Sequence, residues 1–165
     1  MTQNGVPTFS DEVARMADVG GVQMDKAIQV VVADDEKPIR RLIAMAIAGA
    51  EGITLIGEAA DGKKAIELAE SLQPDILLLD LNMPELDGLS TARHIRELRP
   101  APRIIVLTAY DDPETRTDAF EQGVKCYLVK GNVSVVEVVT IIRQVATDAE
   151  HLLAPRHRAI YWPAQ

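Results

Sequence analysis

Residues 30–50 read VVVADDEKPIRRLIAMAIAGA and decide the fold, because they join a short β-branched run to a long amphipathic segment. The run 30–33 is apolar throughout, which is typical of a strand buried on both faces of a sheet. Pro38 suits the first turn of a helix, and apolar residues follow it at the i, i+3, i+4, i+7 spacing of one helical face. The stretch therefore predicts a buried strand and a helix, with Asp34 and Asp35 between them.

The same alternation recurs four more times along the chain. Further strands are predicted at residues 54–57, 76–79, 104–107 and 126–129, and a helix is predicted after each of them. Three of these helices carry an apolar stripe, whereas the helix after strand four is predicted from its start at Asp111-Asp112-Pro113-Glu114. The last helix opens with Ser134-Val135-Val136-Glu137, a capping box. Strands that alternate with helices through short connections predict an α/β fold with a parallel sheet and helices on both faces. The expected form is the flavodoxin-like, doubly wound five-stranded sheet, with strand order 2-1-3-4-5.

Composition limits the class of protein. A chain of 165 residues, 47% of them hydrophobic, is enough for one globular domain with short extensions. We expect a leader at residues 1–26 that is mobile or a short helix, the folded domain at 27–148, and a tail or linker start at 149–165. The formal net charge of −8 argues against direct DNA binding.

The cellular setting is also predicted from composition. One cysteine, Cys126, excludes an internal disulfide framework and fits a reducing compartment. No uncharged run is long enough to span a bilayer, and the N-terminus does not resemble a signal peptide. We therefore expect a cytoplasmic protein that makes no membrane contact.

Charged and polar side chains end four of the predicted strands. Strand one ends in Asp34 and Asp35, strand three in Asp80, strand four in Thr108 and strand five in Lys130. In a doubly wound sheet these ends meet near the switch point of the topology, so three carboxylates should converge there. Like charges about 4 Å apart repel by roughly 4 kcal/mol at an effective dielectric near 20, so either a carboxyl stays protonated or a cation is held there. Oxygen ligands alone favour a hard ion, and Mg²⁺ is the expected cofactor.

These groups are the parts of a phosphoryl-transfer site. A carboxylate can attack phosphorus when metal and ammonium neutralise the charges that meet there. Asp80 is the expected nucleophile, because the other groups flank it. Asp35, assisted by Asp34, would hold the metal, while Lys130 would pair with phosphoryl oxygens and Thr108 would donate a hydrogen bond to one of them.

The motifs of the chain resemble the receiver domain of two-component response regulators, and are similar to the receivers of LuxR/NarL-type regulators. The resemblance covers about residues 28–148. It rests on four motifs at family-like spacings: Asp34-Asp35, Asp80-Leu81-Asn82-Met83-Pro84-Glu85-Leu86-Asp87-Gly88, Thr108-Ala109 and Tyr127-Leu128-Val129-Lys130. One departure is Gly131, where the family often has proline after the lysine.

The resemblance implies a role for each site residue. Asp80 would be the phosphoacceptor of a histidine kinase or phosphotransfer protein. Asp35, Asp80 and the backbone carbonyl of Asn82 would ligate Mg²⁺, with Asp34 acting through water. Thr108 and Tyr127 would be the switch pair, in which the ring turns inward on phosphorylation and reshapes the face of helix four, strand five and helix five. The chain would catalyse its own phosphorylation and dephosphorylation and no reaction of another substrate.

Several alternatives stay open at this point. The chain could be a stand-alone receiver that signals to a downstream protein, the receiver of a longer transcription factor, or a receiver-like binding module that works without phosphorylation. Helix five carries Val136 and Ile141 outside its main apolar face, which indicates either a wide core contact or a surface for a partner or a dimer. The tail, with Tyr161 and Trp162, is either frayed, a docking segment or the start of a linker.

Overall fold

The computed structural model describes residues 26–147 and 160–163. Strands and helices alternate along the first of these ranges, as the sequence predicts. The elements are β1 (Ile28–Ala33), α1 (Lys37–Ala48), β2 (Ile53–Ala59), α2 (Gly62–Leu72), β3 (Ile76–Leu79), α3 (Gly88–Arg96), β4 (Arg103–Thr108), α4 (Pro113–Glu121), β5 (Cys126–Val129), α5 (Val135–Ala146) and β6 (Ile160–Tyr161).

The sheet has the order β2-β1-β3-β4-β5-β6, and its first five strands are parallel. The predicted fold class and the strand order 2-1-3-4-5 are therefore confirmed. The sixth strand is a difference from the prediction of five strands, because β6 pairs antiparallel with β5 at the edge of the sheet. Nothing in the local sequence pattern of two residues distinguishes such a strand, which forms through its pairing with β5.

Two apolar layers cover the two faces of the sheet. Alternate residues of each strand enter opposite layers, as the period of two in a strand requires. Leu77 and Leu79 of β3 pack with α2, α3 and α4, whereas Ile76 and Leu78 pack with α1 and α5. All four residues of β3 are buried, which explains why this strand is a continuous apolar run.

Helix α5 answers one of the open questions. Ile141 is buried among the core residues, and Val136 is 71% exposed. Ile141 is thus a core contact, and Val136 is the apolar residue that α5 presents outside the core. The predicted capping box is confirmed, with the Ser134 and Glu137 side chains each bonded to the backbone of the other residue.

Some predictions fall on residues that the structure leaves undescribed. The leader at 1–26 overlaps the described residues at residue 26 alone, and the tail at 149–165 overlaps them at residues 160–163. Both domain boundaries therefore stay predictions. Among the described residues, no helix is long and apolar enough to cross a membrane.

The N-cap of α3 gives a first testable prediction. The Asp87 carboxylate accepts a hydrogen bond from the Ser90 backbone N–H at 2.9 Å, and this bond lowers the pKa of Asp87. We expect Asp87→Ala to lower the free energy of unfolding by about 1 kcal/mol at neutral pH. A carboxyl with a lowered pKa stabilises the fold when it is ionised, so the difference should be full above about pH 5 and shrink below about pH 4. Urea unfolding of the wild type and of Asp87→Ala over this pH range measures the difference in the free energy of unfolding. A difference that does not change with pH would contradict a role for the ionised Asp87 carboxylate as the N-cap.

Candidate functional site

Three carboxylates meet at the carboxyl ends of β1 and β3. Asp34, Glu36 and Asp80 each place one oxygen within 4.8 Å of the others. Asp34 is 2% exposed and Asp80 is 4% exposed, so two of the three lie in a poorly solvated environment. Such a group of buried acids is unfavourable without a compensating cation.

Backbone hydrogen bonds at the strand ends hold the acids in place. The Asp80 N–H donates to the Ala33 carbonyl at 2.8 Å, which joins the end of β3 to the end of β1. The Asp34 side chain accepts from the Glu36 N–H at 2.9 Å, and the Arg40 guanidinium donates to the Asp34 carbonyl at 2.7 Å. Hydrogen bonds to the side chain and to the backbone carbonyl of Asp34 therefore hold the turn from β1 into α1.

Lys130 supplies the compensating charge. Its ammonium lies 2.8 Å from Asp34, 2.9 Å from Asp80 and 3.2 Å from Glu36. The backbone N–H of Lys130 donates to the Thr108 carbonyl at 2.7 Å, which anchors the residue at the ends of β4 and β5. The next residue, Gly131, has φ 80°, a conformation that glycine adopts without strain. Glycine in place of proline therefore still lets the lysine reach the acids.

The electrostatics of the site follow from burial and these contacts. Burial raises the pKa of Asp34, against the lowering effect of Lys130. Burial alone would lower the pKa of Lys130, but the hydrogen bonds and charges of Asp34 and Asp80 outweigh it and raise that pKa. Lys130 is therefore the stable positive charge of the site at neutral pH.

The structure brings most of the predicted acidic residues together and adds one. Asp34, Asp80 and Lys130 converge as the strand ends predict, whereas Asp35 is exposed and outside the group of three. Glu36, which the sequence analysis missed, takes the third place. Glu36 belongs to the acidic run of residues 34–36 that follows β1, and this run was the signal for it in the sequence.

Asn82 contributes its backbone to the acceptor side chain. The Asn82 N–H donates to Asp80 Oδ1 at 3.2 Å, while its own side chain is exposed. The Asp80 carboxylate is thus held from two sides, with Lys130 bonded to Oδ2 and Asn82 to Oδ1. The role of the Asn82 carbonyl as a metal ligand stays a prediction.

Thr108 and Tyr127 are connected through Tyr110. Thr108 is fully buried at the end of β4, and its Oγ1 lies 3.5 Å from the Tyr110 N–H. The Tyr127 hydroxyl donates to the Tyr110 carbonyl at 2.7 Å. The Tyr127 ring is fully buried, and burial raises the pKa of its hydroxyl to about 12. The predicted switch pair therefore shares one neighbour, and the aromatic member points inward.

The donor set fits the expected metal ion. The three clustered carboxylates offer only hard oxygen ligands, which suit Mg²⁺. Two of the three are buried and already share one cation, so a second positive charge would further reduce their repulsion. The chemistry of these residues is thus compatible with a magnesium site that also contains Lys130.

Comparisons with known proteins agree with this geometry. A family model described as "Response regulator receiver domain" matches residues 30–143. The nitrate/nitrite response regulator protein NarL of Escherichia coli is 41% identical over 101 residues, which are 61% of this chain and 47% of NarL. The transcriptional regulatory protein YdfI of Bacillus subtilis is 40% identical, over 62% of this chain and 47% of YdfI. The chain spans about half the length of the curated relatives it matches.

Solved structures show the same fold. The signal receiver domain of the response regulator NarL from Mycobacterium tuberculosis aligns with a TM-score of 0.71 and 31% identity, covering 74% of this chain and 98% of that domain. The response regulator domain of Thermotoga maritima CheB aligns with a TM-score of 0.68 and 25% identity, over 78% of this chain and 99% of that domain. Motifs, site geometry and fold agree, and the chain therefore belongs to the response regulator receiver domains of two-component systems.

Proposed function

We propose that the chain accepts a phosphoryl group from a histidine kinase or phosphotransfer protein onto Asp80. The observation that carries this proposal is the environment of the Asp80 carboxylate. It is 4% exposed, bonded to the Lys130 ammonium at 2.9 Å, and grouped with Asp34 and Glu36. An acid placed among other acids, with one ammonium in contact, is arranged to receive a charged electrophile.

The transfer step requires one bond to form and one to break. An Asp80 carboxylate oxygen attacks the phosphorus of phosphohistidine, the phosphorus–nitrogen bond breaks, and the departing imidazole takes up a proton. The product is an acyl phosphate on Asp80. Lys130 would pair with the phosphoryl oxygens, and the Thr108 hydroxyl, at the neighbouring strand end, would donate to one of them.

We propose Mg²⁺ as the cofactor of this step. Asp34, Glu36 and Asp80 form the group that would hold it, and Asp35 and the Asn82 carbonyl stay candidate ligands through the family resemblance. The ion would neutralise charge on the carboxylates and on the incoming phosphoryl oxygens. Lys130 would then be released from part of its present set of contacts and become available to the phosphoryl group.

The output of the phosphorylated chain is proposed to be a protein contact. Thr108, Tyr110 and Tyr127 link the site to the face formed by α4, β5 and α5, which would bind a downstream protein or a second copy of the chain. With a net charge of −8, the chain itself is not expected to bind DNA directly. We expect no catalysis apart from its own phosphorylation and dephosphorylation, and the cytoplasmic location stays a prediction.

Replacement of the acceptor tests the proposal. We expect the full chain, incubated with Mg²⁺ and acetyl phosphate, to gain the mass of one phosphoryl group, and Asp80→Asn to gain none. Asp118→Asn, on the exposed side of α4, is the matched control and should be phosphorylated like the wild type. Intact-protein mass spectrometry measures all three proteins.

Two results would contradict the proposal in different ways. Incorporation that persists in Asp80→Asn would place the acceptor elsewhere. A folded wild type that incorporates nothing, with acetyl phosphate or with histidine kinases, would favour the binding module that works without phosphorylation.

A further inference from the structure

The strand β6 docks on both faces of the sheet edge. Tyr161 pairs with Tyr127 and Ile160 pairs with Leu128 in the antiparallel register. Tyr161 packs against the layer that contains α4, whereas Ile160 and Trp162 pack against the layer that contains α5. The segment 160–163 therefore contacts β5 and both apolar layers beside it, the region in which the proposed output face lies.

Tyr161 is held by three groups around its ring and hydroxyl. Its ring meets that of Tyr127 edge to face, with 6.4 Å between centroids. The Arg116 guanidinium of α4 lies 3.8 Å from the Tyr161 ring centroid, a cation–π geometry. The Tyr161 hydroxyl donates to Asp111 Oδ2 at 3.3 Å, and Arg116 also pairs with Asp111 at 2.8 Å. Tyr127 of β5, Arg116 of α4 and Asp111 of the loop before α4 thus surround Tyr161, and we call these three residues its socket.

The same socket contains the aromatic member of the switch pair. Tyr127 is fully buried, and the half-buried Tyr161 lies against it at the edge of the sheet. A Tyr127 ring that left its buried position toward this edge would enter the space that Tyr161 occupies. Docking of β6 therefore excludes a Tyr127 ring that turns outward toward this edge.

A continuous set of contacts joins the socket to the acceptor site. Two hydrogen bonds hold the loop after Thr108. The Tyr127 hydroxyl donates to the Tyr110 carbonyl, and the Tyr161 hydroxyl donates to the Asp111 carboxylate. The Thr108 carbonyl in turn accepts a hydrogen bond from the Lys130 backbone N–H, and the Lys130 ammonium contacts the Asp80 carboxylate. One loop thus contacts the residues that would respond to the phosphoryl group and the residues that hold β6.

We propose that the segment 160–163 is an intrachain ligand of the switch, whose docking on β5 and α4 keeps Tyr127 inward and thereby favours phosphorylation of Asp80. The inference rests on the proposed function and on the expectation, implied by the family resemblance, that the Tyr127 ring turns inward on phosphorylation. Coupling between two sites is reciprocal, so phosphorylation must also strengthen the docking of β6. A partner that uses the β5 edge would have to displace this segment.

The first test follows the segment directly in the full chain. Trp162 directly follows β6 and is the single tryptophan of the sequence, so its fluorescence reports on the segment 160–163. We expect addition of Mg²⁺ and beryllofluoride, a phosphoryl mimic, to increase the protection of residues 126–129 and 160–163 from hydrogen exchange and to shift Trp162 emission to the blue. Unchanged or reduced protection in a protein that acetyl phosphate does phosphorylate would overturn the inference and leave the proposed function intact.

The second test breaks the socket and measures the acceptor. We expect Tyr161→Ala to be phosphorylated by acetyl phosphate at least about fivefold more slowly than the wild type, the lower end of typical coupling between sites. Tyr161→Phe keeps the ring but loses the hydroxyl bond to Asp111, so its rate should lie between those of Tyr161→Ala and the wild type. Arg116→Gln perturbs the same ring from α4 and should slow the reaction in the same direction, so the test does not depend on the folding of one variant.

The outcomes separate the two proposals. Equal rates for wild type, Tyr161→Ala and Arg116→Gln, with each variant shown to be folded by circular dichroism, would overturn the role of β6 alone. A wild type that gains no phosphoryl group would overturn the proposed function, and the coupling to Asp80 with it.

Discussion

In the Lys130→Met variant, we expect the free energy of unfolding in the absence of Mg²⁺ to fall by about 3–5 kcal/mol at neutral pH. Methionine keeps the length of the side chain and removes the ammonium that contacts Asp34, Glu36 and Asp80. Since the lysine side chain is 12% exposed and the two aspartates are 3% and 4% exposed, water cannot replace the lost charge well. Urea unfolding followed by circular dichroism measures the difference.

The exposed pair Lys63–Glu85 provides the matched control. Its charged atoms are also 2.9 Å apart, but the two side chains are 66% and 60% exposed. Lys63→Met should therefore change the free energy of unfolding by no more than about 1 kcal/mol. Equal losses in the two variants would show that the acid group does not depend on Lys130.

The loss in Lys130→Met should also depend on pH and on Mg²⁺. Lys130 opposes the rise that burial causes in the pKa of Asp34, so without the ammonium this carboxyl becomes protonated more readily as the pH falls and ceases to repel its neighbours. The difference from the wild type should therefore shrink on acidification. Mg²⁺ should raise the melting temperature of Lys130→Met more than that of the wild type, because the ion would then be the principal cation among the acids. Equal shifts in the two proteins would contradict a magnesium site at this group.

In the Gly88→Ala variant, we expect a loss of about 3 kcal/mol in the free energy of unfolding. Within a helix this substitution would ordinarily stabilise the protein by about 1 kcal/mol. Here a Cβ on residue 88 would overlap the Asp80 carbonyl oxygen and the Leu81 Cα, both of which are backbone atoms. Relief of the overlap must shift α3 or the end of β3, so phosphorylation of Asp80 should slow as well.

Gly49 is the matched control for Gly88. It lies in a right-handed conformation at the end of α1, where the nearest atom to an added Cβ is 3.8 Å away. Gly49→Ala should leave the stability unchanged or raise it by up to about 1 kcal/mol. Thermal unfolding compares the variants, and a Gly88→Ala protein as stable as Gly49→Ala would show that α3 can move away from β3 without cost.

Much of the fold was predictable because the responsible patterns are local. The strands β1, β3, β4 and β5 are short, mainly apolar runs with most residues buried, and α1, α2, α3 and α5 carry one apolar stripe each. For β5, even the bounds Cys126–Val129 agree with the predicted run. The sixth strand was not predictable in this way, since two residues contain no periodicity and their conformation depends on pairing with a distant strand.

The sequence predicted the location of the candidate site, but only some of the residues that form it. Asp80, Thr108 and Lys130 were predicted from their positions at strand ends, because the carboxyl ends of parallel strands lie at the same edge of the sheet. Which of the acids at residues 34–36 turn inward is decided by the exact residue at which β1 ends, and sequence patterns do not define element ends that closely. The structure buries Asp34, exposes Asp35 and directs the Glu36 carboxylate to the group.

The short strand at the end of the sheet also affects how the protein behaves when it is concentrated. A long, open strand edge invites pairing with other chains and growth into aggregates, whereas a very short terminal strand is a poor template. Within the described residues, β6 presents two residues, Ile160–Tyr161, beyond the buried β5. The segment that we assign to signalling thus also protects this side of the molecule from intermolecular strand addition.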